Sequence, residues 1–415
     1  MVHKNIRIIK SKASRVKADA IQMDDDAQVF FYQSMNEVPN EWDSLAPAEN
    51  VFLQRTYLTL LEQNPPVGMR FCYLLFCDNN KPVGIAIGQI QHFKADKSLN
   101  KETDEKRDEK TPCFFTTLGR YFKGLLASKV DFFTLVIGNL LLTGEHGYYF
   151  DPKISNAKAI QYLEKGIVPV QEELDRRNIQ IRGTLIKEVY EENKKNVQGL
   201  VDRSFVEFTV QPNMVMDLHW ENIEDYKAAL SSKYRVRMKR ALKKGAPIEK
   251  RSLTAKEIED NLPRLYELYA EIANNSGFNL INLNEKYLLA LKQKFQDDFN
   301  LTAYYLDGKI IAYFTTILNG KEMEAHFLGY DHTYNREHQV YLNILYDILN
   351  CGINKKAKRI VFARTAMAIK SSIGAVPIEM YCYFRHRSTF SNKFLHPLLD
   401  YLRPKDDWEQ RHPFK

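Results

Sequence analysis

The sequence LTAYYLDGKIIAYFTTILNGKEMEAHFLG, residues 301–329, carries the pattern from which the fold is predicted. Two runs rich in β-branched and aromatic residues, 301–306 and 309–318, flank an Asp-Gly turn, which is the composition of a β-hairpin. A third run, 322–329, follows a second short turn that ends in polar residues. Three strands joined by tight turns predict an antiparallel sheet.

The elements around this sheet occur in the same order in both halves of the chain. In the second half, the patterns predict helices at 222–245 and 255–275, and then a helix at 336–350 and strands at 359–363 and 377–384. In the first half, they predict strands at 29–32, 71–76, 82–92, 132–138, 179–186 and 204–210, with helices at 54–63 and 156–176. This repetition predicts an α/β (α+β) chain of two similar domains, each a mixed, mostly antiparallel sheet flanked by helices.

The domain boundaries follow from length and charge. A chain of 415 residues is too long for one ordinary hydrophobic core. Residues 1–27 are first basic and then acidic and lack hydrophobic periodicity, so we expect a flexible arm there. The first domain is predicted at 28–211, and the second at 212–415, including a basic linking helix at 222–245.

The composition excludes several classes of protein. The apolar fraction of 44% and the charged fraction of 27% are typical of a globular protein. The five cysteines are odd in number and lack metal-ligand spacing, which predicts reduced thiols and no metal site. No run approaches a membrane-spanning length and no secretory leader is evident, so the protein is expected in the cytoplasm. The net charge of +7 permits binding to phosphates or anionic lipids.

Residues 114–128 predict a helix that is apolar and aromatic over much of its surface and also carries cations. Packing in the core is one interpretation of this helix. The other is a shallow membrane contact or an acyl-chain groove over 114–129, which would place the protein peripherally at the inner face of the membrane.

Three further segments resemble a known group of proteins. They are SSKYRVRMKRALKK at 231–244, LNILYDILNCG at 342–352 followed by RIVF at 359–362 and KSSIGA at 370–375, and GNLLLTGEHG at 138–147. With the doubled order of elements, they resemble the tandem GNAT-fold acyltransferases of the FemAB-like group, bacterial proteins of peptidoglycan biosynthesis or recognition. The resemblance implies transfer of an acyl group from a thioester to a small-molecule or lipid-linked amine. It further implies a coenzyme A thioester as co-substrate and no bound cofactor.

One feature of the sequence departs from this group. GNAT domains that bind coenzyme A carry a glycine-rich loop at the helix that follows the fourth strand, where backbone N–H groups hold the pyrophosphate. Residues 330–340 contain no glycine, and the spacing of Gly144 and Gly147 differs from that loop. Two alternatives therefore stay open: a Fem-like aminoacyl-tRNA-dependent transferase acting on a cell-wall precursor, and a tandem protein that binds a ligand without catalysis.

The candidate catalytic residues lie in the second half. Alternate residues of a strand share a face, so Glu322, Glu324 and His326 are predicted to point to the same side. The opposite face would carry Met323, Ala325 and Phe327. Acylation of an amine needs a base, and Glu324 or His326 could serve. A solvated polar strand face is the alternative. Lys370 precedes Gly374 as in the family's closing pattern, which makes it a third catalytic candidate.

The candidate binding residues fall into three groups. On the helix predicted at 222–245, Lys233, Arg237, Arg240 and Lys244 recur at spacings of four, three and four, which suits a phosphate-rich ligand or merely a solvated face. The other two groups are Asn139, Glu145 and His146 in the glycine-bracketed loop, and Tyr330, Asp331 and Arg364 after strands. No motif for sequence-specific nucleic-acid recognition accompanies them.

Overall fold

The computed structural model describes residues 19–23, 26–94, 131–275, 281–393, 395, 399 and 408–415. The helix predicted at 114–128, with its membrane interpretation over 114–129, and residues 1–18 of the predicted arm lie outside the described residues. The described part divides into two compact units. The first comprises residues up to Val210 and those in Met380–Arg403, and the second comprises those in Gln211–Glu379 and Pro404–Lys415.

The secondary-structure elements are numbered along the chain. In the first half the strands are β1 (Asp19–Gln22), β2 (Ala27–Tyr32), β3 (Arg70–Asp78), β4 (Lys81–Lys94), β5 (Asp131–Ile137), β6 (Tyr148–Phe150), β7 (Ile181–Tyr190) and β8 (Val206–Thr209). In the second half they are β9 (Asn213–Asp217), β10 (Glu249–Ser252), β11 (Phe299–Leu306), β12 (Lys309–Asn319), β13 (Glu322–Tyr330), β14 (Arg359–Val361), β15 (Val376–Ile378) and β16 (Met380–His386).

The helices are numbered along the chain in the same way. They are α1 (Glu41–Leu45), α2 (Arg55–Gln63), α3 (Asn156–Arg176), α4 (Ile223–Ala229), α5 (Ser232–Gly245), α6 (Ala255–Asp260), α7 (Leu262–Asn275), α8 (Tyr287–Phe295), α9 (His332–His338), α10 (Val340–Asn354), α11 (Met367–Ser371) and α12 (Thr389–Lys393). A short 3-10 segment covers Val51–Leu53, and a longer one covers Glu191–Arg203. Within the described residues, no helix is long and apolar enough to cross a membrane.

The sheet of the first unit has the order β1-β2-β3-β4-β5-β7-β16-β8, and β6 pairs with β4. Strands β5 and β7 are parallel, and helix α3 connects them. The helix begins after Ser155, whose side chain accepts a hydrogen bond from the backbone N–H of Lys158. Its buried residues recur every three or four positions, as at Leu163, Ile167 and Val170, so one apolar stripe packs on the sheet.

The sheet of the second unit has the order β10-β11-β12-β13-β14-β9-β15. Strands β13 and β14 are parallel and are connected through α9 and α10. Helix α10 buries Leu342, Leu345 and Leu349 in the core of this unit. Two mixed, mostly antiparallel sheets flanked by helices confirm the predicted fold class.

The bounds of several elements differ from the prediction, because contacts with residues far away in the sequence change the local conformation. The predicted arm is too long, because Asp19–Gln22 pairs with β2. The helix predicted at 222–245 is α4 and α5, since Leu230 between them is extended and pairs with Phe414. The helices predicted at 255–275 and 336–350 are likewise each two helices. Gln339, in the left-handed conformation, separates α9 from α10.

The strand predicted at 377–384 requires the largest correction. It is two strands in different sheets: β15 pairs with β9, whereas β16 pairs with β7 and β8. The residues in Met380–Arg403 therefore belong to the first unit, and the second unit does not extend over all of the predicted 212–415. The pattern of a strand identifies the strand, but its sheet depends on hydrogen-bond partners far away in the sequence.

Candidate active site

The parallel strands β13 and β14 pair over a short distance and then part. Their register joins Glu322 to Arg359 and Glu324 to Val361, and β14 ends there while β13 continues to Tyr330. Among the described residues, β13 and β14 share no pairing beyond Glu324. The side chains of β13 near this point are therefore next to an opening in the sheet.

A β-bulge in β13 determines which side chains share a face. The register against β12 shifts by one residue between Phe314 and Thr316, so His326 and Phe327 both lie opposite Thr315. The Thr315 hydroxyl accepts a hydrogen bond from the Phe327 N–H at 2.8 Å and donates one to the Phe327 carbonyl at 3.0 Å. The prediction that Phe327 shares a face with Met323 is therefore wrong, because the bulge places its ring 4.5 Å from that of His326.

Glu324 is a buried carboxyl group without a partner. Its exposed fraction is 5%, and within the described part of the chain it forms no hydrogen bond or ion pair. Burial raises the pKa of Glu324 well above its ordinary value, and the nearby charge of Glu322 raises it further. The Glu322 carboxylate itself forms an ion pair with Arg359, with 3.5 Å between Oε1 and Nη1. Glu324 is thus a stronger proton acceptor than an ordinary glutamate.

His326, the other candidate base, is held as a neutral imidazole. Its Nε2 lies 3.2 Å from the Tyr287 hydroxyl, and its Nδ1 is buried with no hydrogen-bond partner among the described residues. Burial lowers the pKa of His326 to about 3. Because so weak a base holds little affinity for a proton at neutral pH, the structure favours Glu324 over His326 for proton transfer. Tyr287 was not identified from the sequence, since it lies on α8 and no motif connects it to β13.

Lys370, predicted as catalytic, holds a strained loop together. Its Nζ donates hydrogen bonds to the carbonyls of Phe362 at 2.6 Å, Ala363 at 3.2 Å and Arg364 at 2.7 Å. In this loop Ala363, Thr365 and Ala366 have positive φ values, which is unusual for residues other than glycine. Burial, and secondarily the charge of Arg364, lower the pKa of Lys370 to about 7. Lys370 therefore stabilises the backbone that follows β14.

We expect Lys370→Met to destabilise the fold by about 1–3 kcal/mol, because three carbonyl oxygens lose the donor that satisfies them. Urea unfolding measures this change, and Lys356→Met, at an exposed lysine, is the matched control. Unchanged stability together with lost turnover would instead assign Lys370 to the chemistry.

The predicted cationic ridge lies on α5. Lys233, Arg240 and Lys244 are exposed, Arg237 is half-buried, and none of the four forms an ion pair with a carboxylate in the described residues. Lys244 Nζ lies 3.5 Å from the Arg336 carbonyl of α9, and the Lys244 carbonyl lies 3.1 Å from His338 Nδ1. The end of the ridge is therefore next to the turn between α9 and α10.

The candidates after strands have structural roles. The Asp331 carboxylate accepts a hydrogen bond from the backbone N–H of Thr333 at 2.9 Å and so caps α9. The half-buried ring of Tyr330 lies 5.9 Å from that of Tyr341. Arg364 lies in the loop that Lys370 holds. None of these three described residues forms a hydrogen bond or an ion pair with Glu324.

The polar side chains of the glycine-bracketed loop in the first unit form hydrogen bonds with other residues of that unit. Asn139 is buried, donates to the Tyr57 hydroxyl at 3.2 Å and accepts from Gln89 at 3.2 Å. Glu145 accepts from the Tyr190 N–H at 2.9 Å, and burial raises its pKa. Burial lowers the pKa of His146 to about 4. The protein itself therefore uses the polar groups that were predicted to contact a ligand.

Sequence reasoning missed a buried ion pair beside this loop. Lys187 Nζ lies 2.6 Å from Glu188 Oε2, and the two side chains are 4% and 0% exposed. Lys187 also donates to the Leu142 carbonyl at 2.8 Å, and Glu188 accepts from the Gly144 N–H at 2.7 Å. Glu188 has a φ of 54°, so the strand is irregular there. The sequence signal that could have indicated this pair is the two adjacent charged residues, Lys187 and Glu188, within a strand that is otherwise largely apolar at this end.

The described residues contain no group of three or more His, Cys, Asp or Glu side chains that could hold a metal ion. The four cysteines in that part, Cys72, Cys77, Cys351 and Cys382, are free thiols.

Comparison with protein families places the site in a known domain. Residues 232–371 match the family described as "Acetyltransferase (GNAT) domain". The match begins with α5, contains β13 and β14, and ends directly after Lys370. The second unit therefore contains a GNAT acetyltransferase domain. A search of curated proteins gave no match.

Solved structures share the fold at low identity. The chain is similar to a tandem GNAT protein from the clavulanic acid biosynthesis pathway, with 9% identity, a TM-score of 0.50, and coverage of 87% of this chain and 99% of that one. FemX has 11% identity and a TM-score of 0.49, with 87% and 98% covered. L-PGS from Bacillus licheniformis has 10% identity and a TM-score of 0.43, with 67% and 85% covered. The predicted tandem GNAT fold is confirmed. The GNAT domain matched at residues 232–371 supports the predicted enzyme class, an N-acyltransferase.

Proposed function

We propose that the second unit transfers an acyl group from a thioester donor to an amine acceptor, with Glu324 as the base. The observation that carries the proposal is the buried, unpartnered carboxyl of Glu324 at the point where β13 and β14 part. An amine must lose a proton before or during acylation. A carboxylate whose pKa is raised accepts that proton more readily than an ordinary one.

In the proposed step, Glu324 accepts a proton from the acceptor ammonium, and the free amine attacks the thioester carbonyl carbon. A C–N bond forms and the C–S bond breaks. The thiolate leaves and takes up the proton that the new amide nitrogen loses. Neutral His326 lies on the same face of β13 as Glu324, and the contact of its Nε2 with the Tyr287 hydroxyl fixes its ring.

For the donor we propose a coenzyme A thioester whose phosphates bind the end of the cationic ridge. The helix α10 starts without a glycine loop, and the Tyr341 N–H in its first turn already donates to the Asn335 side chain. Side-chain cations would therefore replace the usual backbone cradle. Arg240 and Lys244 are available near this turn, and charge-assisted bonds to phosphate are strong.

The donor is tested by thermal titration with coenzyme A, acetyl-CoA and a long-chain acyl-CoA. We expect a melting temperature that rises with ligand concentration, since a ligand that binds only the folded state stabilises it. Arg240→Glu with Lys244→Glu should weaken this binding about tenfold or more, because two charge-assisted contacts are lost. Lys239→Glu, on another side of the same helix, is the matched control.

The alternative donor is an aminoacyl-tRNA, which the unpaired cations of α5 would equally suit through its phosphates. No thermal response to any of the three coenzyme A ligands, together with binding of tRNA that the two ridge substitutions weaken, would replace coenzyme A by this donor. No response to either class would favour a protein that binds a ligand without catalysis. We place the reaction in the cytoplasm, and a lipid-linked amine would bring it to the inner face of the membrane.

A further inference from the structure

A polar groove lies in the second unit, away from Glu324. It runs between β11 and the edge strand β10 on one side and helix α10 on the other, and its volume is about 610 Å³. That size falls in the range of small-molecule sites. Its base includes Thr302 of β11 and Phe314 of β12, which are directly opposite in the register.

The groove and Glu324 are on opposite faces of the sheet. Phe314 packs into the core under α10, whereas Ile317 pairs directly with Glu324. Positions 314 and 317 of one strand point to opposite sides, because the side-chain period of a strand is two. The groove is therefore separate from the proposed acyl-transfer site.

Helix α10 presents polar side chains where it faces this part of the sheet. Asp347, Asn350 and Asn354 recur at spacings of three and four and line the groove. A helix stripe that faces a sheet is normally apolar. Neither Asn350 nor Asn354 forms a hydrogen bond with another described residue. Both amides are therefore available to a ligand.

At one end of the groove, three side chains form a cluster held by an ion pair and a hydrogen bond. Asp347 accepts from Lys250 Nζ at 2.7 Å and from the Tyr304 hydroxyl, and Lys250 lies 5.3 Å above the Tyr304 ring. On the base, Asn300 Nδ2 donates to the Thr302 hydroxyl oxygen at 2.9 Å. These bonds orient the side chains of Lys250, Asp347 and Asn300 in the absence of a ligand.

The charges of the lining favour an anion. The lining contains three lysines, Lys250, Lys292 and Lys355, and two aspartates, Asp297 and Asp347. Its net charge is therefore +1. An ammonium has three donors. Lys250 uses one on Asp347, and Lys355 uses one on the Asp297 carbonyl at 2.8 Å. Both lysines therefore keep donors for an anionic group.

We propose that this groove binds a phosphorylated sugar. Amide and hydroxyl side chains such as Asn350, Asn354 and Thr302 are suited to sugar hydroxyls, which both donate and accept. The free donors of Lys250 and Lys355 are suited to the phosphate. The groove volume of about 610 Å³ has room for a ligand of this size.

The test is a calorimetric titration of the full chain with glucose 6-phosphate and with N-acetylglucosamine 1-phosphate, beside glucose and inorganic phosphate alone. We expect saturable binding of at least one sugar phosphate, weakened about tenfold by Lys355→Ala through loss of a charge-assisted bond. Asn350→Leu should weaken it as well, by removing the amide and filling space. The matched control is Lys356→Ala, at the neighbouring exposed lysine that does not line the groove.

Three results would overturn the proposal. They are the absence of binding by both sugar phosphates at millimolar concentration, equal affinity for inorganic phosphate alone, and binding that Asn350→Leu and Lys355→Ala leave unchanged. Urea unfolding of each variant separates loss of binding from loss of fold. Because the titration needs no turnover, it does not depend on the assignment of Glu324 as a base.

Discussion

Glu324→Gln is expected to lower turnover about 10²–10⁴-fold, the usual contribution of a positioned general base. Glutamine keeps the shape of the side chain but cannot accept the proton of the ammonium. The measurement is the release of free thiol from the thioester that stabilises the protein, in the presence of a panel of primary amines. Turnover that survives this substitution would remove Glu324 from the proposed mechanism.

The pH profile gives a second readout of the same residue. Because the base must be ionised, activity should fall as pH drops through the raised pKa of Glu324, and Glu324→Gln should lack this acid limb. Glu322→Gln is the matched control. It should keep turnover and move the acid limb to lower pH, because the charge of Glu322 contributes to the raised pKa. An acid limb that stays in place would contradict that electrostatic contribution.

Loss of fold should not explain the effect of Glu324→Gln. The pKa of Glu324 is higher in the folded than in the unfolded state, so its contribution to stability is greatest in acid and declines as pH rises from the unfolded to the folded pKa. Glutamine has no charge to bury. The variant should therefore be at least as stable as the natural chain at neutral pH, as measured by urea unfolding.

The local pattern of the sequence was sufficient for most of the fold. The three strands predicted within 301–329 agree with β11, β12 and β13 to within two residues, because alternation and tight turns are local properties. The position of α3 was predicted equally well from its apolar stripe. The sheet that β16 joins could not be predicted, because its partners β7 and β8 lie far away in the sequence.

The candidate site was only partly readable from the sequence. Alternation along 322–329 correctly put Glu324 and His326 on one face, but the bulge that brings Phe327 to the same face has no signature in the sequence. The sequence also gave no means to choose between the two bases. That choice depends on burial and on the missing partner of Glu324, which are properties of the folded chain. The same limit applied to Lys370, whose three carbonyl contacts form only in the fold.

Lys187→Met is expected to destabilise the first unit by about 3–5 kcal/mol, because it leaves the Glu188 carboxylate buried without its counter-ion. Both side chains are almost completely inaccessible, and their contacts hold the loop that contains Leu142 and Gly144. Urea unfolding of the full chain, monitored by tryptophan fluorescence and by circular dichroism, measures the change. The matched control is Lys158→Met, which removes an ion pair of equal length, to Asp78, from the exposed surface. That change should be much smaller, because water solvates the remaining carboxylate.

The double variant Lys187→Met/Glu188→Gln separates the effect of charge from that of packing. If the single variant is unstable because a buried charge has lost its partner, then neutralising that charge should restore much of the lost stability. If instead Lys187 acts through its hydrogen bond to the Leu142 carbonyl, the double variant should be no more stable than the single one. Because this cluster lies in the first unit and Glu324 in the second, thiol release by the folded double variant should stay close to that of the natural chain. Loss of turnover in a stable double variant would assign the first unit a direct part in the reaction.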